Sequence, residues 1–219
     1  QGLQAMERVA AAGLPSWGVD MLFGLPEDVD PDPSYSVRRV IEAGAPHVSI
    51  YELVAEEGTP LGERVASGEV RVIDEDRSAD QFLQIGALLE DAGYERYELT
   101  AFAHPGHRSR HAVGVLENGS WLGVGPGAHS NLEGVRIWNL TDWRIYLISI
   151  LKGVLPEAAS ARLELGEEQA ERIRRRLRLA GGLPLPWLSP SQQEVALRWT
   201  RSGWAAPDPS RVMLTPEGW

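Results

Sequence analysis

The chain has 219 residues, 43% hydrophobic and 24% charged, the composition of a soluble globular protein with room for one large domain or a medium and a small one. Its formal net charge of −10 is uneven: residues 1–159 carry 12 Lys and Arg against 24 Asp and Glu, and residues 160–219 carry 9 against 7, so neither part offers the basic footprint of a nucleic-acid binder. Cysteine is absent, which excludes disulfides, a thiolate nucleophile and a Cys-ligated zinc or iron–sulfur site within these residues.

The first segment, "QGLQAMERVAAAGLP", predicts a helix with Leu3, Met6, Val9 and Ala10 as its apolar positions and with Gly13 and Pro15 closing it. It has no N-cap, no initiator Met and no signal-peptide pattern, so the chain is expected to begin inside a helix. No apolar run reaches the length of a membrane span, and a cytoplasmic location is the expectation. "WGVDMLFGLP" is a nearly continuous apolar run and predicts a strand buried on both faces. Residues 33–44 predict a helix starting at Pro33 or Ser34, with Val37, Val40 and Ile41 inward and Gly44 after its end; a second strand, "HVSIYELV", follows. Strand, helix and strand with short connections imply a parallel pair, the unit of an α/β barrel or a doubly wound sheet.

Residues 55–75 read as a long polar connection. "DRSADQFLQIGALLEDAGY" predicts a helix with Phe82, Ile85, Leu88 and Leu89 on one face, and "ERYELTAFA" predicts a further strand. From about 103 to 140 the chain is rich in Gly, His, Asn and Pro, where a loop-borne site would lie. "EEQAERIRRRLRLAGG" places Glu in the first turn of a helix and Arg in its last, matching the macrodipole, and the Arg run reads as a solvated face. "SPSQQEVALRWTRSGW" predicts a helix capped by Ser189 with Pro190 at its first position, and "RVMLTPEGW" a short strand followed by a helix start cut off at Trp219. The organisation expected is 1–103, strands and helices with a connecting loop; 104–159, a Gly/His-rich region; and 160–219, a small winged-helix-like module, truncated.

Chemistry could reside at several places. In "GSWLGVGPGAHSN" (residues 119–131) alternate glycines could cradle a phosphate, but that needs the turn to open a helix, and "AHSNLEGVRIWN" has no helical stripe. Asp20 stands in an apolar strand and must meet donors, from the protein or from a ligand at the open end of a sheet; Glu52 poses the same choice. His104, His107, His111 and His129 crowd one region and could ligate a metal or haem iron, or hydrogen-bond the local backbone; zinc patterns such as HExxH are missing.

The strings "VDMLFGLP", "HVSIYELVAEEGTPLGERVASGE", "DEDRSADQF", "AGYERYELTAFAHPGHRSRH", "WLGVGPGAHS", "RIWN" and "LTPEGW", in this order and spacing, resemble successive blocks of the radical S-adenosylmethionine haem chaperones, long called oxygen-independent coproporphyrinogen III oxidase-like proteins. The resemblance covers nearly the whole chain. It implies an α/β fold: the C-terminal units of a partial (β/α)6 TIM-like barrel that holds a [4Fe–4S] cluster and S-adenosylmethionine, followed by a winged-helix-like module. The family's Cys-x-x-x-Cys-x-x-Cys lies after the first barrel strand, and this chain is expected to start near the fifth. By resemblance Asp20 contacts the polar part of S-adenosylmethionine and Val54 makes a backbone contact to it, while His111 belongs to a stretch implicated in haem handling. That stretch departs from the family's: Ala112 replaces an Asn, and Val115 and Leu116 replace an aromatic pair. The glycines of "GVGPGAHS" then allow close chain packing or positive φ.

Three readings follow. The first is a haem chaperone that binds haem or another tetrapyrrole and hands it to a haem-receiving protein, with a homodimer as a further state. The second is the oxidase, decarboxylating coproporphyrinogen III; the oxidases resemble Asn-Tyr-Ala-His-Leu-Pro where this chain has "ELVAEEGTPLG", which favours the chaperone. The third is a binding module without catalysis. By itself the chain is expected to perform no radical chemistry and to be weakly stable, with a strand edge and an apolar face uncovered.

Overall fold

Helix and strand ends fall where capping and turn residues stand, and the computed structural model describes residues 2–26, 29 and 32–219. Helix α1 (Gly2–Ala11) leads to strand β1 (Gly18–Phe23). Asp32 caps α2 (Pro33–Glu42) by accepting from the Ser34 N–H, Pro33 takes the first turn, and Gly44 at φ +70° ends it before β2 (His47–Glu52). β1 and β2 are parallel, Gly18 facing His47 and Phe23 facing Glu52, so the strand–helix–strand unit read from the sequence is present.

The long polar connection that follows contains α3 (Pro60–Ala66), capped by Thr59, whose Oγ1 accepts from the Gly62 N–H. Asp74 caps α4 (Glu75–Asp91). The single strand expected over "ERYELTAFA" is two, β3 (Glu95–Glu98) and β4 (Ala101–Ala103), and both partners of β4 are antiparallel to it, giving the order β1-β2-β4-β3. The Glu98 carboxylate makes the break: it accepts from the Thr100 N–H at 3.0 Å and from Thr100 Oγ1 at 2.7 Å, turning the chain at Leu99. Between this sheet and helices α2 and α4 lie Val37, Val48, Ile50, Ile85, Leu89 and Phe102, nearly inaccessible, each contributing about 1.5–3 kcal/mol on burial.

Within the Gly/His-rich stretch, regular structure replaces the expected loop: α5 (Arg110–Leu116), capped by Ser109, then the hairpin β5 (His129–Leu132) and β6 (Val135–Asn139). Its two turn residues, Glu133 at φ +51° and Gly134 at φ +80°, have the left-handed backbone that a two-residue hairpin requires. Helix α6 (Trp143–Leu151) follows, and β7 (Glu157–Arg162) completes a second antiparallel sheet, β5-β6-β7.

The remaining elements are α7 (Leu165–Leu177), β8 (Leu183–Pro184), α8 (Pro190–Arg201), β9 (Ala205–Ala206) and β10 (Arg211–Leu214), with the sheet order β8-β10-β9 around Leu183, Ala196, Ala205 and Val212. Ser189 and Gln192 form a capping box at α8. The Arg run of α7 is no plain solvated face. Arg172 lies 3.7 Å over the Trp187 ring, Arg175 pairs with Glu171, and Arg176 pairs with Glu117. This unit is tied to the first sheet by the Leu99 N–H donating to the Arg178 carbonyl, the Ala180 N–H donating to the Tyr97 carbonyl, and an Arg178–Glu98 ion pair at 3.1 Å.

Candidate functional site on the open face of the first sheet

Side chains along a strand alternate between faces. In β1, Val19, Met21 and Phe23 join the cluster under α2 and α4, which leaves Gly18, Asp20 and Leu22 on the other side. The strand is therefore not buried on both faces, as its apolar run suggested: it is a sheet edge with one covered face, and Asp20 and Leu22 are exposed. Opposite Gly18, Asp20 and Leu22 stand His47, Ser49 and Tyr51; across β4, Ala101 faces Ser49 and Glu98 faces Ala101. One polar face thus gathers Asp20, His47, Ser49, Tyr97 and Glu98.

His47 is the best-anchored member. Its Nε2 lies 2.8 Å from Tyr97 Oη, and that oxygen accepts from the Ser109 N–H at 3.3 Å. With one lone pair so used, the tyrosyl proton can be donated to a neutral imidazole. Burial lowers the His47 pKa, and the nearby carboxylates of Asp20 and Glu98 oppose that shift. Burial likewise raises the Tyr97 pKa, so the phenol stays protonated.

Asp20 lies mid-strand on this face. Val54 follows the carboxyl end of β2, beyond the Leu53 N–H that donates to the Phe23 carbonyl, and is 65% exposed. Nearby, on the helix side, a cleft of about 570 Å³ is lined by Phe23, Phe82, Leu99 and Trp219, with Glu52 and Glu217 also on its wall. Glu52 accepts a hydrogen bond from Ser78 Oγ there. His111 is the second residue of α5, exposed, at the opposite end: the His104 N–H donates to the Pro46 carbonyl just before β2, and the Ser109 N–H reaches Tyr97. The structure places Asp20 diagonally across from His47 on one face of the sheet and sets His111 and Val54 at opposite ends of β2.

The other crowded histidines are engaged locally. His104 Nδ1 is 3.1 Å from the Gly93 carbonyl and its ring stacks on Tyr94; His107 Nδ1 is 3.0 Å from Ser16 Oγ; His129 meets the Trp138 ring edge-on. Among the described residues no group of three or more His, Cys, Asp and Glu is placed to hold a metal ion. The glycine loop is no phosphate cradle either. Its N–H groups are already donated within the chain: Gly123 to Ser130 Oγ, Gly125 to Tyr146 Oη and Gly127 to the Leu140 carbonyl. A Cβ on Gly123 would collide with the His129 backbone, and Gly125 and Gly127 have φ of +116° and +68°, so both close packing and positive φ are used. Sequence reasoning missed His47, Ser49, Tyr97 and Glu98; the polar alternation of His47, Ser49 and Tyr51 in "HVSIYE" was the available signal.

No protein-family model matches the chain. Among solved structures, the coproporphyrinogen III oxidase HemN of Escherichia coli, a radical SAM enzyme, superimposes with a TM-score of 0.67 over 99% of this chain and 55% of its own, at 16% identity, which shows a shared mixed α/β fold. Among curated proteins, the haem chaperone HemW of Mycobacterium tuberculosis is 33% identical over 214 residues, 98% of this chain and 55% of that protein. HemW of Lactococcus lactis is 30% identical over 178 residues, 80% of this chain and 47% of its own length. The mouse mitochondrial radical S-adenosyl methionine domain-containing protein 1 is 33% identical over 111 residues, 51% of this chain and 25% of its own. The chain belongs to the family of the HemW haem chaperones, and it spans about half the length of the curated relatives it matches.

Proposed function

We propose that this protein serves haem handling, as part of a radical SAM haem chaperone that binds haem and passes it to a receiving protein in the cytoplasm. The observation that carries this reading is the 33% identity to a protein named as a haem chaperone along 98% of the chain. The oxidase reading rests on a likeness at 16% identity, which speaks to fold alone. A partial radical SAM barrel in residues 1–103, a connecting region over 104–159 and a winged-helix-like module over 160–219 are the division that fits this function; the helix–strand–helix–strand–strand order from α7 to β10 supports the last.

S-adenosylmethionine fits the open face. An exposed Asp20 carboxylate beside the Ser49 register position suits an ammonium or hydroxyl donor, and the backbone at Val54 is accessible beyond β2. A [4Fe–4S] cluster does not fit these residues, since the chain holds no cysteine, and no radical step is assigned to them. His111, exposed at the start of α5, is the residue assigned to haem; the partners are haem and a haem-receiving protein, and a homodimer is compatible. No helix among the described residues is long and apolar enough to cross a membrane.

Titration of ferric haem into the chain, followed by its Soret absorbance, tests the proposal. Saturable binding, weakened in His111→Ala, is expected. Absorbance that rises without saturation, as for free haem adsorbing to any protein, would sink it.

A further inference from the structure

His47 sits between two restraints. On one side Tyr97 Oη holds Nε2 at 2.8 Å. On the other, Nδ1 lies 3.0 Å from where a Cβ on Gly18 would stand, so any larger residue opposite it would press on the ring. Two residues along the same face of β1 is Asp20. Around this ring stand Asp20 from β1, Tyr51 from β2, Tyr97 and Glu98 from β3, Arg108 over the Tyr97 ring at 5.8 Å, and Arg178 paired with Glu98. The two cations address Tyr97 and Glu98. Asp20 forms no ion pair among the described residues; Tyr35 and Arg39 of α2 line a cleft with it, and Arg39 is paired with Glu42, which leaves His47 as the neighbour that changes charge in the mildly acidic range.

We infer that His47 is a positioning residue for Asp20: clamped between Tyr97 and Gly18, it keeps a neutral imidazole beside that carboxylate, leaving Asp20 free to take a cationic, hydroxyl-bearing ligand. On taking a proton from solvent the imidazole becomes a tethered cation that competes with the ligand for the same carboxylate. Ligand binding at Asp20 is then strong while His47 is neutral and falls as it protonates. Ser109, whose N–H meets Tyr97, is also the cap of α5, so the clamp is anchored on a second element. This inference rests on the reading of Asp20 as a contact of S-adenosylmethionine, and its test separates the two.

The imidazole Cε1–H signals of the chain are followed by NMR against pH, with His47 assigned by its loss in His47→Gln. In Asp20→Asn the His47 midpoint is expected to fall, because the anion that favours the protonated ring is gone. S-adenosylmethionine is then titrated into the chain at about pH 7.5 and about pH 5.5, with binding read from backbone amide shifts in β1 and β2. Binding is expected to weaken several-fold at the lower pH in the wild type, to lose that pH dependence in His47→Gln, and to be lost at both pH values in Asp20→Asn. A merely structural His47 would leave the pH dependence in place. If S-adenosylmethionine moves no signal, the cofactor reading fails, and the midpoint in Asp20→Asn still decides the pairing. A midpoint that stays put or rises in Asp20→Asn, or a pH loss that persists in His47→Gln, overturns the inference.

Discussion

The guanidinium of Arg96 lies across Gly86, so close that a Cβ there would collide with its Nη2. The Arg96 side chain, 5% exposed, is boxed by rings: its Cζ is 4.8 Å from the centroid of Phe82, 4.6 Å from Phe102 and 5.2 Å from Trp219. Its nearest anion is Glu90, at 3.5 Å. Burial lowers its pKa, but the rings and Glu90 keep a charged group tolerable there. A glycine in the interior of α4 is therefore a packing requirement.

Gly86→Ala tests this directly, because two effects oppose each other. Alanine gains about 1 kcal/mol of helix propensity. The methyl must displace a guanidinium that three aromatic rings hold in place, and overpacking of that kind costs about 1–3 kcal/mol. A net loss of stability in urea unfolding is expected, with Arg96→Met in the same background relieving part of it. A more stable Gly86→Ala chain would mean that the box opens freely.

Glu171 bridges two arginines stacked against one indole: Arg136 at 2.5 Å and Arg175 at 2.9 Å, with their guanidinium carbons 4.9 and 5.0 Å from the Trp121 ring centre. Glu171→Gln would leave two like charges mostly sheltered from water. A loss of about 1–3 kcal/mol is expected in urea unfolding, between the values for exposed and for fully buried pairs. Arg136→Met in that background should recover part of the loss by removing one of the facing cations. If Glu171→Gln unfolds at the wild-type urea concentration, the bridge does not join β6 to α7 in solution.

Which of these features the sequence discloses depends on how far apart the partners lie. Ser189 and Pro190 at α8, and Gly44 after α2, announce helix ends because capping is local chemistry. The β3–β4 turn is hidden because Leu99 and Thr100 carry no turn signal and the bend is made by the Glu98 side chain. α3 is hidden because a short helix with no buried residue leaves no apolar stripe. The site was half legible. Asp20 stands out as a carboxylate in an apolar run, but its exposure depends on β1 being a sheet edge, a fact of topology. The pairing of His47 with Tyr97 joins residues 50 apart, and the Arg136–Glu171 bridge joins residues 35 apart, beyond the reach of any periodicity.

Stability should fall on mild acidification. The His47 pKa is below its ordinary 6.5 in the folded chain, with burial the largest cause. The unfolded chain therefore binds the proton first as pH drops, so this contribution is complete above 6.5 and is lost as pH falls from there toward the folded value. Urea midpoints measured between about pH 7.5 and pH 5.5 are expected to decline, and His47→Gln should flatten that part of the profile. An unchanged slope in His47→Gln would assign the decline to other groups.

Helix α6 raises the opposite problem, since it is apolar on nearly every side yet has no buried residue. Leu151 is 77% exposed and Leu155, just beyond the helix, 82%. An exposed leucine contributes little to folding, whereas a cluster of them with Trp143 and Ile148 drives association. Leu151→Gln with Leu155→Ser is expected to leave the urea midpoint within about 0.5 kcal/mol of wild type and to raise the protein concentration reached before precipitation. A loss above about 1 kcal/mol would show instead that these side chains are covered in solution, because only buried leucines cost that much when their apolar surface is removed.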